Sequence, residues 1–141
     1  MGTLAVSRPA SEDERPVSSI VDQVSTMARK NLAPMAVAID DGTVYPSELL
    51  HRLGDVGAWG SHVPQGGQAD LGCAIQSIAA IGEVCGATAF MAWCQSTLVW
   101  YAANSDNPKL AAKFGDAFAT GRILGGTGLS NPMKSFFGIE S

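Results

Sequence analysis

From Thr88 to Asn104 the chain carries Phe90, Met91, Trp93, Leu98, Val99, Trp100 and Tyr101 at positions that point all round a helix. A helix without a polar face has no side to turn to water, so it belongs in the middle of a bundle. This stretch is therefore expected to be the most buried element, with its aromatics packed as core. The apolar run Ala87 to Ala103 falls short of the roughly 20 residues that span a bilayer. It is also broken by Gln95, Ser96 and Thr97, so no membrane insertion is expected.

The flanking sequence supplies the neighbours that such a helix needs. Residues 1–15 mix Ser, Arg, Pro, Glu and Asp with little apolar content and read as a flexible tail. Val17, Ile20, Val21, Val24 and Ala28 recur at helical steps, with Pro16 suited to the first turn. Pro34 predicts a kink, after which Met35 to Ile39 continues the helix. Asp41-Gly42 signals a turn. Leu49, Leu50, Leu53 and Val56 form a short amphipathic helix, and Gly57 can end it in the left-handed conformation. Residues 58–69 are glycine-rich and read as a loop. Leu71, Ile75, Ile78, Gly82 and Cys85 make a further stripe, in which Gly72 and Gly82 suggest close helix–helix approach. Pro108 opens a helix through Phe118.

After Thr120-Gly121 the pattern changes. Ile123 to Thr127 is compact and glycine-rich, reads as an edge strand, and is broken by Asn131-Pro132. The expected fold class is all-α, with a helical bundle over residues 16–120. Residues 121–141 are expected to begin an incomplete β segment.

The chemistry of isolated residues points nowhere specific. Net charge is −4, and an acidic surface repels phosphate backbones, so nucleic acid is not an expected partner. The first residues lack the apolar core of a secretory signal, and the acidic run Glu12 to Glu14 argues against a mitochondrial presequence, leaving a cytoplasmic expectation. Three cysteines, Cys73, Cys85 and Cys94, form no C-x-x-C pair and read as small buried hydrophobes. His51 and His62 lack second ligands at metal spacing and read as surface or capping residues, so no metal site is expected. Glu83 reads as a helix-flank residue rather than a general base. Phe90, Trp93, Trp100 and Tyr101 could floor a cofactor pocket, although such a cluster is more often packed core. No nucleophile elbow and no phosphate-binding glycine loop is present.

Several passages, taken in order, resemble the acyl-CoA dehydrogenase family. They are Leu32 to Asp40, Val44 to Leu50 with Leu53 to Gly57, Trp59 to Pro64 with Gly66, Gly67 and Asp70, and Gly121 to Pro132. The resemblance implies an N-terminal helical domain, followed by a β-barrel middle domain and a C-terminal helical domain. Only the first, with a fringe of the second, is expected within these residues. It also implies FAD as cofactor, an acyl-CoA thioester as substrate, homo-oligomeric assembly and a role in fatty acid metabolism. Carried over by position, the flavin contacts fall at Thr127, Leu129 and Ser130, where Ser130 keeps the hydroxyl of the family's usual threonine. Asn131 replaces the usual acid, and Met133 to Phe136 replaces a small turn that meets the flavin phosphates, with Ser135 a doubtful equivalent. The family's catalytic base, a carboxylate of the C-terminal domain, has no counterpart here, so no catalytic residue is assigned. A same-fold flavin monooxygenase and a flavin-free helical interaction module are the competing readings.

Overall fold

The computed structural model describes residues 19–64, 68–128 and 130–138, with the side chains of Ser130 and Asn131 outside that description. The expected tail and Pro16 therefore lie outside the described residues. The first helix, α1 (Ile20–Met27), starts at a capping box. The Ser19 hydroxyl accepts from the Asp22 amide at 3.1 Å, and the Asp22 carboxylate accepts from the Ser19 amide at 3.3 Å. Each satisfies an N–H that the helix end would otherwise leave open.

Pro34 leaves its mark without ending the helical path. The ladder widens into a π turn over Ala28–Leu32, tightens to a 3-10 turn over Ala33–Met35, and resumes as α2 (Ala36–Asp40). A proline cannot donate one turn back, and these two changes of pitch absorb the missing bond. The short amphipathic helix forms as α3 (Ser47–Asp55), followed by Gly57 at φ 89°. Asp70 caps α4 (Leu71–Gly82) by accepting from the Cys73 amide at 2.8 Å. Cys85 caps α5 (Gly86–Ala103) through its sulfur, which accepts from the Thr88 amide and hydroxyl at 3.5 and 3.3 Å. Asn107 and Pro108 open α6 (Pro108–Ala119).

In the bundle α4 lies between α1 and α5, and α6 covers another side of α5. Val24, Leu32, Leu49, Leu53, Trp59 and Ile81 form the centre of the core. The long apolar helix is central, but its buried face is not the expected one. Thr88, Ala92, Gln95, Ser96, Val99 and Ala102 point inward, while Phe90, Trp93, Trp100 and Tyr101 are exposed. Small side chains let neighbouring helix axes come close, and the bulky ones are left outside. The stripe on α4 is corrected in the same way: Ala74, Ser77 and Ile81 are buried, whereas Leu71 and Ile75 are exposed.

No strand forms over 123–127, or elsewhere among the described residues. A single strand has no partner to satisfy its N–H and C=O groups, and a lone edge is not a stable element. Residues 124–128 follow an irregular path instead, and Ser130–Phe136 is helical (α7), with Pro132 in its first turn. Gly72 meets no neighbouring helix, whereas Gly82 lies against α5, a Cβ there standing 3.5 Å from the Ala89 side chain.

Candidate functional site

A tighter approach at glycine occurs between α3 and the turn after α6. A Cβ on Gly54 would collide with the carbonyl of Thr120 and stand 2.7 Å from the Cα of Gly121. Gly121, at φ 71°, lies against Trp59, whose indole N–H donates to the Leu50 carbonyl at 3.1 Å. The His51 ring hydrogen-bonds through Nδ1 to the Gly121 carbonyl. Residues distant in the chain thus meet at one point, because only two glycine backbones fit where α3 crosses the turn.

From that point the chain is held against α5 by one buried amide. Gln95 is 2% exposed. Its Nε2 donates to the carbonyls of Phe118 at 2.8 Å and Ile123 at 3.1 Å, and its Oε1 accepts from the Gly125 amide at 2.9 Å. The Ile123 amide also donates to Ala117 at 3.0 Å. Gly125 packs so tightly that a Cβ there would stand 2.6 Å from the Leu98 side chain. Residues 123–125 are therefore docked against α5. Beyond them Gly126 and Gly128 have no atom within 4 Å of where a Cβ would stand.

Of the three candidate flavin contacts, Thr127 is half-buried in this irregular stretch. Leu129 lies outside the described residues, and Ser130 is placed only as the first residue of α7. The structure therefore places Thr127 just beyond the docked residues and gives no mutual geometry for the three. A groove of about 240 Å³ beside this stretch is lined by Phe90, Cys94 and Gln95 of α5 together with Leu124 and Gly125.

A second and larger groove, about 410 Å³, runs between α4 and α5. Its walls include Leu71 and Ile75 from one helix and Trp93 and Trp100 from the other, and His62 and Ser96 also line it. His62 is not a surface residue: it is 8% exposed, and its ring stacks on Trp100 at 6.3 Å between centroids. Its Nε2 lies 2.9 Å from the Ser96 carbonyl. A carbonyl only accepts, so Nε2 carries the proton and donates. Burial lowers the His62 pKa, opposed by that backbone hydrogen bond, and favours the neutral ring.

Gln95 and His62 are the residues that sequence reasoning missed. The sole amide side chain of an apolar helix signals a buried hydrogen-bond hub, because a buried amide without partners is costly. His62 had no such local signal, since its partner is on α5.

This is an all-α domain whose long central helix turns its bulky aromatics Phe90, Trp93, Trp100 and Tyr101 outward. The family described as acyl-CoA dehydrogenase, N-terminal domain, matches residues 16–122, and the chain belongs to it. Enzymes of this family are generally flavin-dependent and act on acyl-CoA substrates. No curated protein matches the chain. No helix among the described residues is long and apolar enough to cross a membrane.

Proposed function

We propose that this chain is the N-terminal helical part of an FAD-dependent acyl-CoA dehydrogenase-like oxidoreductase of fatty acid metabolism. In this reading it works in the cytoplasm within a homo-oligomer and has no nucleic-acid partner. The observation that carries the reading, beside family membership, is the Gln95 clamp. It holds residues 123–125 against α5, where Gly126 lines one groove with Phe90.

The residues present fit a flat cofactor ring at that stretch, because Gly126 and Gly128 put no side chain in its way. Thr127 and Leu129 would meet it through backbone groups and Ser130 through its hydroxyl. When bound, FAD supplies the acceptor for hydride leaving the β-carbon of the thioester. The chain's own residues orient and desolvate: Gln95 sets the position of the glycine-rich stretch, and Phe90 and Trp93 offer apolar surface to an acyl group.

Assayed alone, the 141 residues are expected neither to retain stoichiometric FAD nor to dehydrogenate acyl-CoA. Immobilising a large cofactor needs more contacts than these few residues provide. A yellow preparation bleached by acyl-CoA would overturn that expectation. The family-level reading is tested on the full gene product: anaerobic acyl-CoA should bleach its flavin. Failure to bleach, with oxygen-dependent hydroxylation of a non-thioester substrate, would assign the monooxygenase chemistry instead.

A further inference from the structure

The groove between α4 and α5 is apolar in a way that speaks against a small ligand. Small-molecule sites combine apolar walls with a few placed polar groups that fix orientation. Here the polar groups are closed off or engaged. The Nδ1 of His62 and the hydroxyl of Ser96 have practically no open surface, and the Thr97 hydroxyl donates to the Trp93 carbonyl at 2.8 Å. What the groove presents is hydrocarbon: Leu71, Ile75, Trp93 and Trp100, with Tyr101 adjacent, are each between 41% and 63% exposed. Neither Leu71–Gly82 nor Gly86–Ala103 contains an Asp, Glu, Lys or Arg.

We propose that this face pairs with the same face of a second copy of the chain. Area, charge and shape choose that occupant. The five side chains leave roughly 600 Å² bare, with half-buried Ile78 and Thr97 beside them. That is the upper end of what a single chain ordinarily exposes, and it approaches the roughly 800 Å² that each partner contributes to a stable interface. At net charge −4, two copies repel over most of their surface, and an uncharged face lets them meet without setting like charges together. It also holds no cation to grip an anionic lipid surface. Trp93 and Trp100, about two turns apart on α5, stand as a ridge that forms one wall of the groove, so ridge and groove match in length. A two-fold axis across the face lays the ridge of each copy into the groove of the other, a self-complementary contact that closes at two chains. The inference goes beyond the reading above: it concerns the chain alone, and an acyl group seated on Trp93 would compete with it.

Sedimentation equilibrium of the chain should show a dimer with a dissociation constant on the order of micromolar. Across the same concentrations tryptophan emission should shift to the blue as dimer forms. That signal belongs to Trp93 and Trp100, because Trp59 is already fully buried. Ile75→Glu and Leu71→Lys, each at an exposed position, should weaken association by about tenfold or more and leave the helical circular dichroism unchanged. Added salt should tighten the dimer, since screening relieves the repulsion between two chains of charge −4. Phe136→Glu, at the most exposed apolar side chain of α7, is the control and should leave the dimer intact. A chain that stays monomeric at submillimolar concentration overturns the proposal. So does a dimer broken by Phe136→Glu and untouched by Ile75→Glu, which moves the interface to α7. A monomer that floats with neutral phosphatidylcholine vesicles also overturns it and assigns the face to a lipid surface. None of these measurements involves flavin or thioester, so their outcomes are independent of whether the full product bleaches with acyl-CoA.

Discussion

The junction of α3 with the Gly121 turn and the groove between α4 and α5 are built on opposite plans. At the junction, backbone touches backbone, Trp59 is wholly buried over it, and every neighbour comes from the chain itself. At the groove, large side chains stand apart and expose apolar surface. Interiors are close-packed, so room beside bulky apolar groups is not what packing alone produces. The junction holds the fold together, whereas the groove leaves apolar surface open.

The comparison is broken most easily at the junction. Gly54→Ala should cost about 3 kcal/mol or more, because the new methyl meets backbone that cannot move aside. Chemical denaturation measures this, and a loss below about 1 kcal/mol would show that the turn can shift. Next in size, Gln95→Leu removes three hydrogen bonds, leaving the Ile123 carbonyl and the Gly125 amide without this partner while Phe118 keeps its bond from the Gly121 amide, and should cost about 1–3 kcal/mol. Amide exchange at Gly125 should accelerate while exchange in α1 is unchanged.

A gentler probe is pH. Burial keeps the His62 pKa in the folded chain below the ordinary 6.5. Above 6.5 both folded and unfolded chains are neutral at this group. As pH falls through that value the unfolded chain takes up a proton that the folded chain refuses, so stability declines until the folded pKa is passed. His62→Gln, compared with the parent across this range, should remove that part of the slope. The smallest effect sharpens the contrast: Phe90→Ala, at a residue 64% exposed, should change stability by no more than about 0.5 kcal/mol.

The sequence made the helices legible but misjudged which way the central ones face. One-sided stripes placed α3, and Gly57 marked its end, because amphipathic spacing and left-handed glycine are local signals. In α5 apolar residues stand all round, so periodicity cannot choose a face; the choice follows side-chain size, and Ala92 and Ser96 go in where Trp93 and Trp100 do not. The expected strand over 123–127 depended on partner strands, which lie outside local pattern. Its replacement, docking on Gln95, depended on a contact across about 30 residues of chain. Family membership was legible in the order of short motifs, while the groove was not, because its walls had been read as core.

The Gln95 clamp also limits how the chain can vary in length. Turns between elements ordinarily absorb insertions and deletions, since their backbone is solvated and their ends are free to adjust. Here one side chain reaches residue 118 on one side of the turn and residues 123 and 125 on the other. Adding or removing a residue between Phe118 and Ile123 would leave at least one of those groups out of reach. A connection that resembles an ordinary surface turn is thereby measured out to a fixed number of residues, as a strand in a sheet is held to its register.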